Sequence, residues 1–139
     1  MKYWDSSALV ALVVDEARSL ERRETMRRDP VIVTWWGSRV ECASALNRLD
    51  RDQRFRGDGL DRATDQLGLL AASWVEIEPL EQVRQRAIRL LRLHPLRAAD
   101  ALQLAAALTA AREEPQRLDL VSSDDRLSAA ARREGFRVL

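Results

Sequence analysis

The segment MKYWDSSALVALVVDE (residues 1–16) joins a candidate strand to a candidate helix through one acidic residue. Tyr3 and Trp4 favour a strand, and the Ala-rich apolar run that begins after Ser7 favours a helix. Asp5 would therefore lie where the first buried strand ends. Burying a carboxylate costs several kcal/mol unless the group has partners, so Asp5 either caps the following helix or belongs to a functional site.

The composition is that of a globular protein with a high helix content. The chain has 139 residues, of which 46% are hydrophobic and 32% charged, with only 5 Gly and 4 Pro. This length suffices for one domain with a substantial core, and we predict a single domain over residues 1–139. A net charge of +1 excludes a protein that is held on nucleic acid by its overall charge.

Cysteine content and hydropathy indicate the compartment. Cys42 is the single cysteine, which excludes an internal disulfide framework and fits a reducing environment. The run ALVALVV is too short to span a bilayer, and the first residues do not resemble a signal peptide. We therefore expect a cytoplasmic protein without a membrane association.

Short apolar segments alternate with helical patterns along the whole chain. The strand candidates are Lys2–Trp4, Val31–Thr34, Trp74–Ile77, Leu118–Val121 and Arg137–Leu139. The helix candidates are Ser7–Arg28 with a break near Asp15, Ser38–Gln53, Leu60–Ala72, Leu80–Leu93, Arg97–Arg112 and Asp125–Glu134. This alternation predicts an α/β fold with a mostly parallel five-stranded sheet and helices on both faces. Ser38 is the expected N-cap of its helix, and Gly135 the expected end of the last one.

Glu41 and Asp100 lie in surroundings that are unusual for surface acids. The neighbours that share a helix face with Glu41 are all small, namely Gly37, Ser38, Ser44 and Ala45, which leaves a hollow around its carboxylate. Asp100 lies in the otherwise apolar stretch LRAADALQLAAAL. The alternatives are an exposed Glu41 on an Ala-rich helix and a surface ion pair between Asp100 and Arg97.

Asp124 follows a candidate strand and precedes a helix, as Asp5 does. An N-cap role alone would explain an acid at this position. In a parallel sheet, however, ligands bind beyond the carboxyl ends of the strands, and both acids are expected at that edge. The same edge would receive Glu41 from the helix after the second strand.

Convergence of these four acids would require a cation. Two unit charges about 4 Å apart interact at about 4 kcal/mol when the effective dielectric constant is near 20. No basic residue is placed in the sequence to cancel four such charges. Oxygen ligands without a cluster of His or Cys select Mg²⁺ or Mn²⁺, so the pattern predicts a site for one of these ions.

The motifs YWDSSALV, RVECASAL, LRAADALQLAAAL and LVSSDDRLSAAARREGFRVL, in this order, resemble those of PIN domains, specifically the VapC-type toxins of bacterial toxin–antitoxin pairs. The resemblance covers nearly the whole chain and implies a metal-dependent endoribonuclease. Its catalytic acids would be Asp5, Glu41, Asp100 and Asp124. In the last motif Asp124 is matched, and not Asp125, because the family's acid stands three residues before the Leu that opens the apolar helix face.

The resemblance also implies roles for individual side chains and partners. Mg²⁺ (or Mn²⁺) would be held by Asp5, Asp100 and Asp124, directly or through water, with Glu41 completing the site. Ser6 and Ser122 match small hydroxyl residues of the family and would orient the carboxylates. The implied partners are an RNA substrate, for which tRNA is a common target in the family, a cognate VapB-type antitoxin that blocks the site, and a second copy in a homodimer.

Contact with RNA would have to come from basic and aromatic side chains outside the acidic motifs. Candidates for backbone contacts are Arg86, Arg89 and Arg92, which form a row on one helix, together with Arg97; a solvated helix face is the alternative. Trp35 and Trp36 could stack a base, pack in a dimer interface or belong to the core. His94, which precedes a proline, is expected to be a loop residue and not a ligand.

Two other functions compete with the nuclease. A non-catalytic α/β protein-interaction module would use the acids only as helix caps and surface pairs, and it would have no affinity for a metal. A phosphotransfer domain is disfavoured because Ser7 stands where haloacid-dehalogenase-like phosphatases have a second Asp. The late lysine of receiver domains is also lacking, since Lys2 is the only lysine.

Overall fold

Four parallel strands alternate with seven helices in the structure, a computed structural model that describes residues 1–139. The strands are β1 (Lys2–Trp4), β2 (Ile32–Trp35), β3 (Val75–Ile77) and β4 (Leu120–Val121). The helices are α1 (Ser6–Val13), α2 (Ser19–Arg28), α3 (Ser38–Arg51), α4 (Gly59–Ala71), α5 (Glu81–Leu93), α6 (Ala98–Ala110) and α7 (Asp125–Arg133), with a 3₁₀ turn at Pro115–Arg117. None of the helices combines the length and apolar character that a membrane crossing requires.

The sheet has the strand order β3-β2-β1-β4, and all neighbouring strands are parallel. Tyr3 of the central strand pairs with Val33 on one side and with Leu120 on the other. The predicted α/β fold with a parallel sheet is therefore confirmed, but the prediction of five strands is wrong. The segment Arg137–Leu139 forms a single isolated bridge, between Val138 and Leu120, and one bridge does not make a ladder.

Helices cover both faces of the sheet, and each face has its own core. Adjacent residues of a strand point to opposite faces, so Tyr3 and Trp4, both fully buried, contribute to different clusters. Tyr3 belongs to a cluster of 19 buried residues that includes side chains of α5, α6 and α7. Trp4 belongs to a cluster of 14 that includes side chains of α1, α3 and α4. Burial on both faces explains why the strands are almost continuously apolar instead of alternating.

The helix boundaries agree with the apolar periodicity to within one or two residues, with one misassigned cap. The predicted break near Asp15 is the gap between α1 and α2. Gly37, and not Ser38, is the N-cap of α3, because the Ser38 hydroxyl is buried and hydrogen-bonded to Thr34 Oγ1 at 2.7 Å. Gly135 follows the end of α7 with a φ of 97°, as predicted for a residue that ends a helix.

Candidate active site

The four predicted acids all lie at the N-terminal ends of helices, each on a different helix. Asp5 and Asp124 are the N-caps of α1 and α7, while Glu41 and Asp100 lie in the first turns of α3 and α6. Helices α1, α3 and α7 each follow a strand of the sheet, so their first turns lie at its carboxyl edge. The positive end of each helix dipole also favours a carboxylate at that position.

Asp5 is both a helix cap and a buried carboxyl group. Its Oδ1 accepts hydrogen bonds from the Ala8 amide at 3.1 Å and the Ser7 hydroxyl at 2.9 Å, and its side chain is only 3% exposed. Burial raises the pKa of Asp5 to about 6, and the charge of Asp124 adds to this rise, although the hydrogen bonds from Ser7 and Ala8 oppose it. Asp5 therefore caps α1, and its burial is also compatible with a role in a functional site.

Glu41 is half-buried and is held by two side chains from other elements. Its Oε2 accepts hydrogen bonds from the Ser6 hydroxyl at 2.7 Å and from Gln103 Nε2 at 3.1 Å. Burial raises the pKa of Glu41, and repulsion from Asp100 acts in the same direction. Ser6 therefore orients a carboxylate, but this carboxylate belongs to Glu41 and not to the adjacent Asp5.

Asp100 forms no ion pair with Arg97. Its Oδ2 accepts a hydrogen bond from the backbone amide of Arg97 at 3.2 Å. Burial raises the pKa of Asp100, as does the charge of Asp124, while the charges of Arg126 and Arg97 lower it. Asp100 therefore lies near Asp124, Arg97 and Arg126.

Asp124 and Asp125 have different surroundings. The Oδ1 of Asp124 accepts a hydrogen bond from the Leu127 amide at 2.7 Å, and the Asp124 amide donates to the Ser122 hydroxyl at 3.0 Å. The side chain of Asp125 is 91% exposed and pairs with Arg18 at 3.3 Å. Asp124 is thus held at the helix start by local hydrogen bonds, whereas Asp125 lies in solvent.

Hydrogen bonds and charge effects link the four acids into one cluster. The Ser6 hydroxyl reaches Glu41, and the Ser7 hydroxyl, bonded to Asp5, accepts the Ser123 amide at 2.8 Å. The charge of Asp124 raises the pKa values of Asp5 and Asp100, and the charge of Asp100 raises the pKa of Glu41.

The donor set of this cluster fits a hard divalent cation, although the side chains do not form a closed cage. No group of three or more His, Cys, Asp or Glu side chains is arranged so that it could hold a metal ion as it stands. The donors are carboxylate oxygens that are partly removed from water and that repel one another. Mg²⁺ keeps several waters and needs only one or two direct carboxylates, so an open cluster of this kind is compatible with its coordination.

Two buried residues of the site region were missed or undervalued in the sequence. Arg22 on α2 is 1% exposed, and the charge of Asp5 acts on its guanidinium, so one buried cation that the sequence analysis did not single out lies near the acids. Gln103 is 2% exposed; its Oε1 accepts the Tyr3 hydroxyl at 2.8 Å while its amide donates to Glu41. A lone amide in the run LQLAAAL was a visible signal for Gln103, but nothing singled out Arg22 within SLERRETMRR.

The four arginines predicted to bind RNA occupy different environments. Arg97 is exposed at the N-cap of α6, beside Asp100. Arg89 and Arg92 are exposed on α5. Arg86 is half-buried, pairs with Glu113 and donates to Thr109, nine residues beyond Asp100 on α6, which corresponds to about 14 Å along the helix axis. The structure therefore places Arg97 at the carboxylates and Arg86 away from them.

The remaining candidates divide between the core and the surface. Trp35 is 7% exposed and Trp36 51% exposed, and their rings pack edge-to-face with centroids 6.4 Å apart. Trp35 therefore belongs to the core, whereas Trp36 is exposed just after the end of β2. His94 follows the last residue of α5 and begins the loop to α6, as expected, but it is buried, with Nε2 at 2.6 Å from Glu134. Cys42 is fully buried, and burial raises the pKa of its thiol.

One comparison with known proteins identifies a family. The family model described as the PIN domain matches residues 2–133, a range that contains all four acids. A search of curated proteins gave no match to the chain. PIN domains are generally nucleases that act on RNA and typically use divalent metal ions.

Proposed function

The chain belongs to the PIN-domain family, and we propose that it is a Mg²⁺-dependent endoribonuclease that acts as the toxin of a VapBC-type toxin–antitoxin pair. The observation that supports the proposal is the position of the four acids at the N-termini of α1, α3, α6 and α7, with charge effects that connect Asp5, Asp124, Asp100 and Glu41. Burial, and to a lesser extent repulsion from a neighbouring acid, raises the pKa values of Asp5, Glu41 and Asp100, and a bound cation would offset both effects. A binding module that uses its acids only as caps has no need of this arrangement.

The proposed roles follow from the contacts of each side chain. Asp5, Asp100 and Asp124 would hold Mg²⁺, or Mn²⁺ in its place, directly or through water. When bound, the ion lowers the pKa of a coordinated water and neutralises charge on the attacked phosphoryl group. Glu41, fixed by Ser6 and Gln103, would complete the site, and its carboxylate would be the proton acceptor for the water.

Binding of RNA would rely on the exposed arginines nearest the acids. Arg97 and Arg126 are both exposed and lie close enough to Asp100 for their charges to act on its carboxyl group. Guanidinium groups bind phosphate in a bidentate manner, so the two could hold phosphates of the strand on either side of the cleaved bond. Arg89 and Arg92 would extend this contact along α5, and tRNA is the candidate substrate that the family resemblance suggests.

The antitoxin would block the acids, and a cleft whose lining includes none of them is the proposed second contact for it. The cleft has a volume of about 940 Å³ and lies between the end of α1, α2, α3 and α4. Its lining is apolar in part, as at Leu12 and Phe55, and carries four arginines (Arg23, Arg54, Arg56 and Arg62) against two acids, Asp15 and Glu16. This combination suits an amphipathic segment that carries acidic residues. The exposed side chain of Trp36 would be available to a second copy of the chain in a homodimer. The cytoplasmic location stays a prediction.

The decisive experiment compares adjacent aspartates. Asp124→Asn retains a good N-cap but loses the charge, whereas Asp125→Asn changes a solvent-exposed side chain and is the matched control. We expect the wild type and Asp125→Asn to release heat on titration with Mn²⁺ and to cleave single-stranded RNA, and Asp124→Asn to do neither. Equal and negligible heats for all three would refute the nuclease and favour the interaction module. Expression without an antitoxin, followed by mapping of RNA ends in arrested cells, would then identify the target.

A further inference from the structure

Arg22 is a fully buried cation in a helix that is mostly polar and largely exposed. Ser19 and Arg22 are the buried residues of α2, and Arg22 is 1% exposed. Its Nη1 has no hydrogen-bond partner, and the nearest carboxylate, that of Glu21, lies 3.4 Å away on a side chain that is 64% exposed. An apolar residue would fill this space without the cost of burying a charge. A purely structural role therefore does not account for an arginine here.

The contacts of Arg22 lead to the loop that carries Asp124. Its Nη2 donates to the Ser122 carbonyl at 2.8 Å, and its Nε donates to the Ser123 hydroxyl at 3.3 Å. From the opposite side, the Ser123 amide donates to Ser7 Oγ, and the Ser7 hydroxyl donates to Asp5 Oδ1. The loop is thus held between α2 and the start of α1.

The strand before this loop cannot hold it alone. Strand β4 has only two residues, Leu120 and Val121, and so offers a very short ladder to fix the chain that follows. The guanidinium supplies two directed hydrogen bonds that the ladder lacks, and the charge of Asp5 acts on it. A lysine would keep the charge but not the fork of donors.

We propose that Arg22 is a positioning residue that holds the Ser122–Asp124 loop so that the Asp124 carboxylate stays beside Asp5. This inference rests on the proposed function, because it assigns Arg22 a purpose in forming the metal site. Residues that orient metal ligands through hydrogen bonds typically contribute about 10–100-fold to metal affinity.

The test uses Arg22→Lys, with Arg23→Lys as the matched control. Arg23 is the next residue on α2, but its partners are Asp15 and the carbonyls of Leu12 and Val14. We expect Arg22→Lys to weaken Mn²⁺ binding about 10–100-fold by calorimetry. In metal-free protein, we also expect it to accelerate hydrogen exchange of the Ser123 and Asp124 amides. Arg23→Lys should match the wild type in both measurements.

Three outcomes are decisive. Wild-type Mn²⁺ affinity and wild-type exchange in a folded Arg22→Lys variant would overturn the inference, even if its melting temperature fell. Should Arg22→Lys fail to fold, Ser123→Ala removes only the acceptor of Nε: weaker Mn²⁺ binding supports the inference and unchanged binding overturns it. If the wild type binds no Mn²⁺, the proposed nuclease fails, and the exchange measurement in metal-free protein still decides whether Arg22 holds the loop.

Discussion

Replacing Asp5 with Asn removes a buried charge while keeping the size of the side chain and one capping oxygen. Burial and Asp124 raise the pKa of Asp5 from 3.8 to about 6, which corresponds to about 3 kcal/mol against the ionised form. The Asn side chain loses the acceptor for the Ser7 amide, now at 3.3 Å, which costs about 1 kcal/mol. We therefore expect Asp5→Asn to stabilise the metal-free protein by about 2 kcal/mol at pH 8, or about 7 °C in melting temperature.

The pH dependence of this effect has a defined sign. The pKa of Asp5 is higher in the folded protein than its ordinary value of 3.8, so ionisation costs stability as the pH rises through about 6. Below about pH 4 the carboxyl group is protonated in both states, and Asn has no charge advantage there. Urea unfolding in the presence of a chelator at pH 4, 6 and 8 should show the advantage of Asp5→Asn growing with pH.

Addition of Mn²⁺ should reverse the order of stability. A ligand present at 100 times its dissociation constant stabilises the folded state by about 2.7 kcal/mol, and Asp5→Asn should lose most of this gain. Asp125→Asn, exposed and outside the cluster, should follow the wild type throughout. If Asp5→Asn is less stable than the wild type at pH 8 in chelator, the cap outweighs the repulsion and the reasoning from buried carboxylates is refuted.

Further predictions concern Asp100 and two glycines. Asp100→Asn should abolish RNA cleavage at an equal or higher melting temperature, because burial and Asp124 raise the pKa of Asp100; an unfolded variant would assign it a structural role. Gly37→Ala should destabilise the protein by about 1–3 kcal/mol in urea unfolding, since the new Cβ would lie 2.4 Å from Trp35 Nε1. Gly68→Ala meets no atom within 4 Å inside α4 and should stabilise by about 0.5–1 kcal/mol; equal effects of the two would contradict the steric argument.

Apolar patterning was sufficient to predict most of the fold, because nearly every strand and helix buries a continuous or periodic apolar face. It was not sufficient for the last segment. Arg137–Leu139 has the composition of a strand, but only Val138 forms a bridge, and composition does not reveal how many ladder partners a segment finds. The Ser38 cap was misassigned for a similar reason. A serine before a helix favours capping, but here the hydroxyl is drawn into a buried network with Thr34 and Gln103.

The acids could be recognised from sequence because each stands out against its own neighbours, and the strand–helix alternation brings three of them to one edge. Arg22 could not be recognised in this way. Helix α2 contains several arginines and glutamates with nearly equal surroundings in sequence. Arg22 is the one that is buried because the loop at Ser122 packs against it. This packing is between residues 100 positions apart, which local periodicity does not contain.

In this fold the proposed site residues are also residues that favour the starts of helices. Each of the four acids stands at the positive end of its own helix, an arrangement that favours a negative charge by about 0.3–1 kcal/mol per helix. These four separate dipoles, together with the buried Arg22, allow the polypeptide to fold with its carboxylates close together before any cation arrives. They do not remove the cost of ionising these carboxyl groups, because burial and repulsion still raise the pKa values of Asp5, Glu41 and Asp100. In the proposed metal site, a divalent cation would recover on binding the free energy that burial and repulsion of the carboxylates still cost.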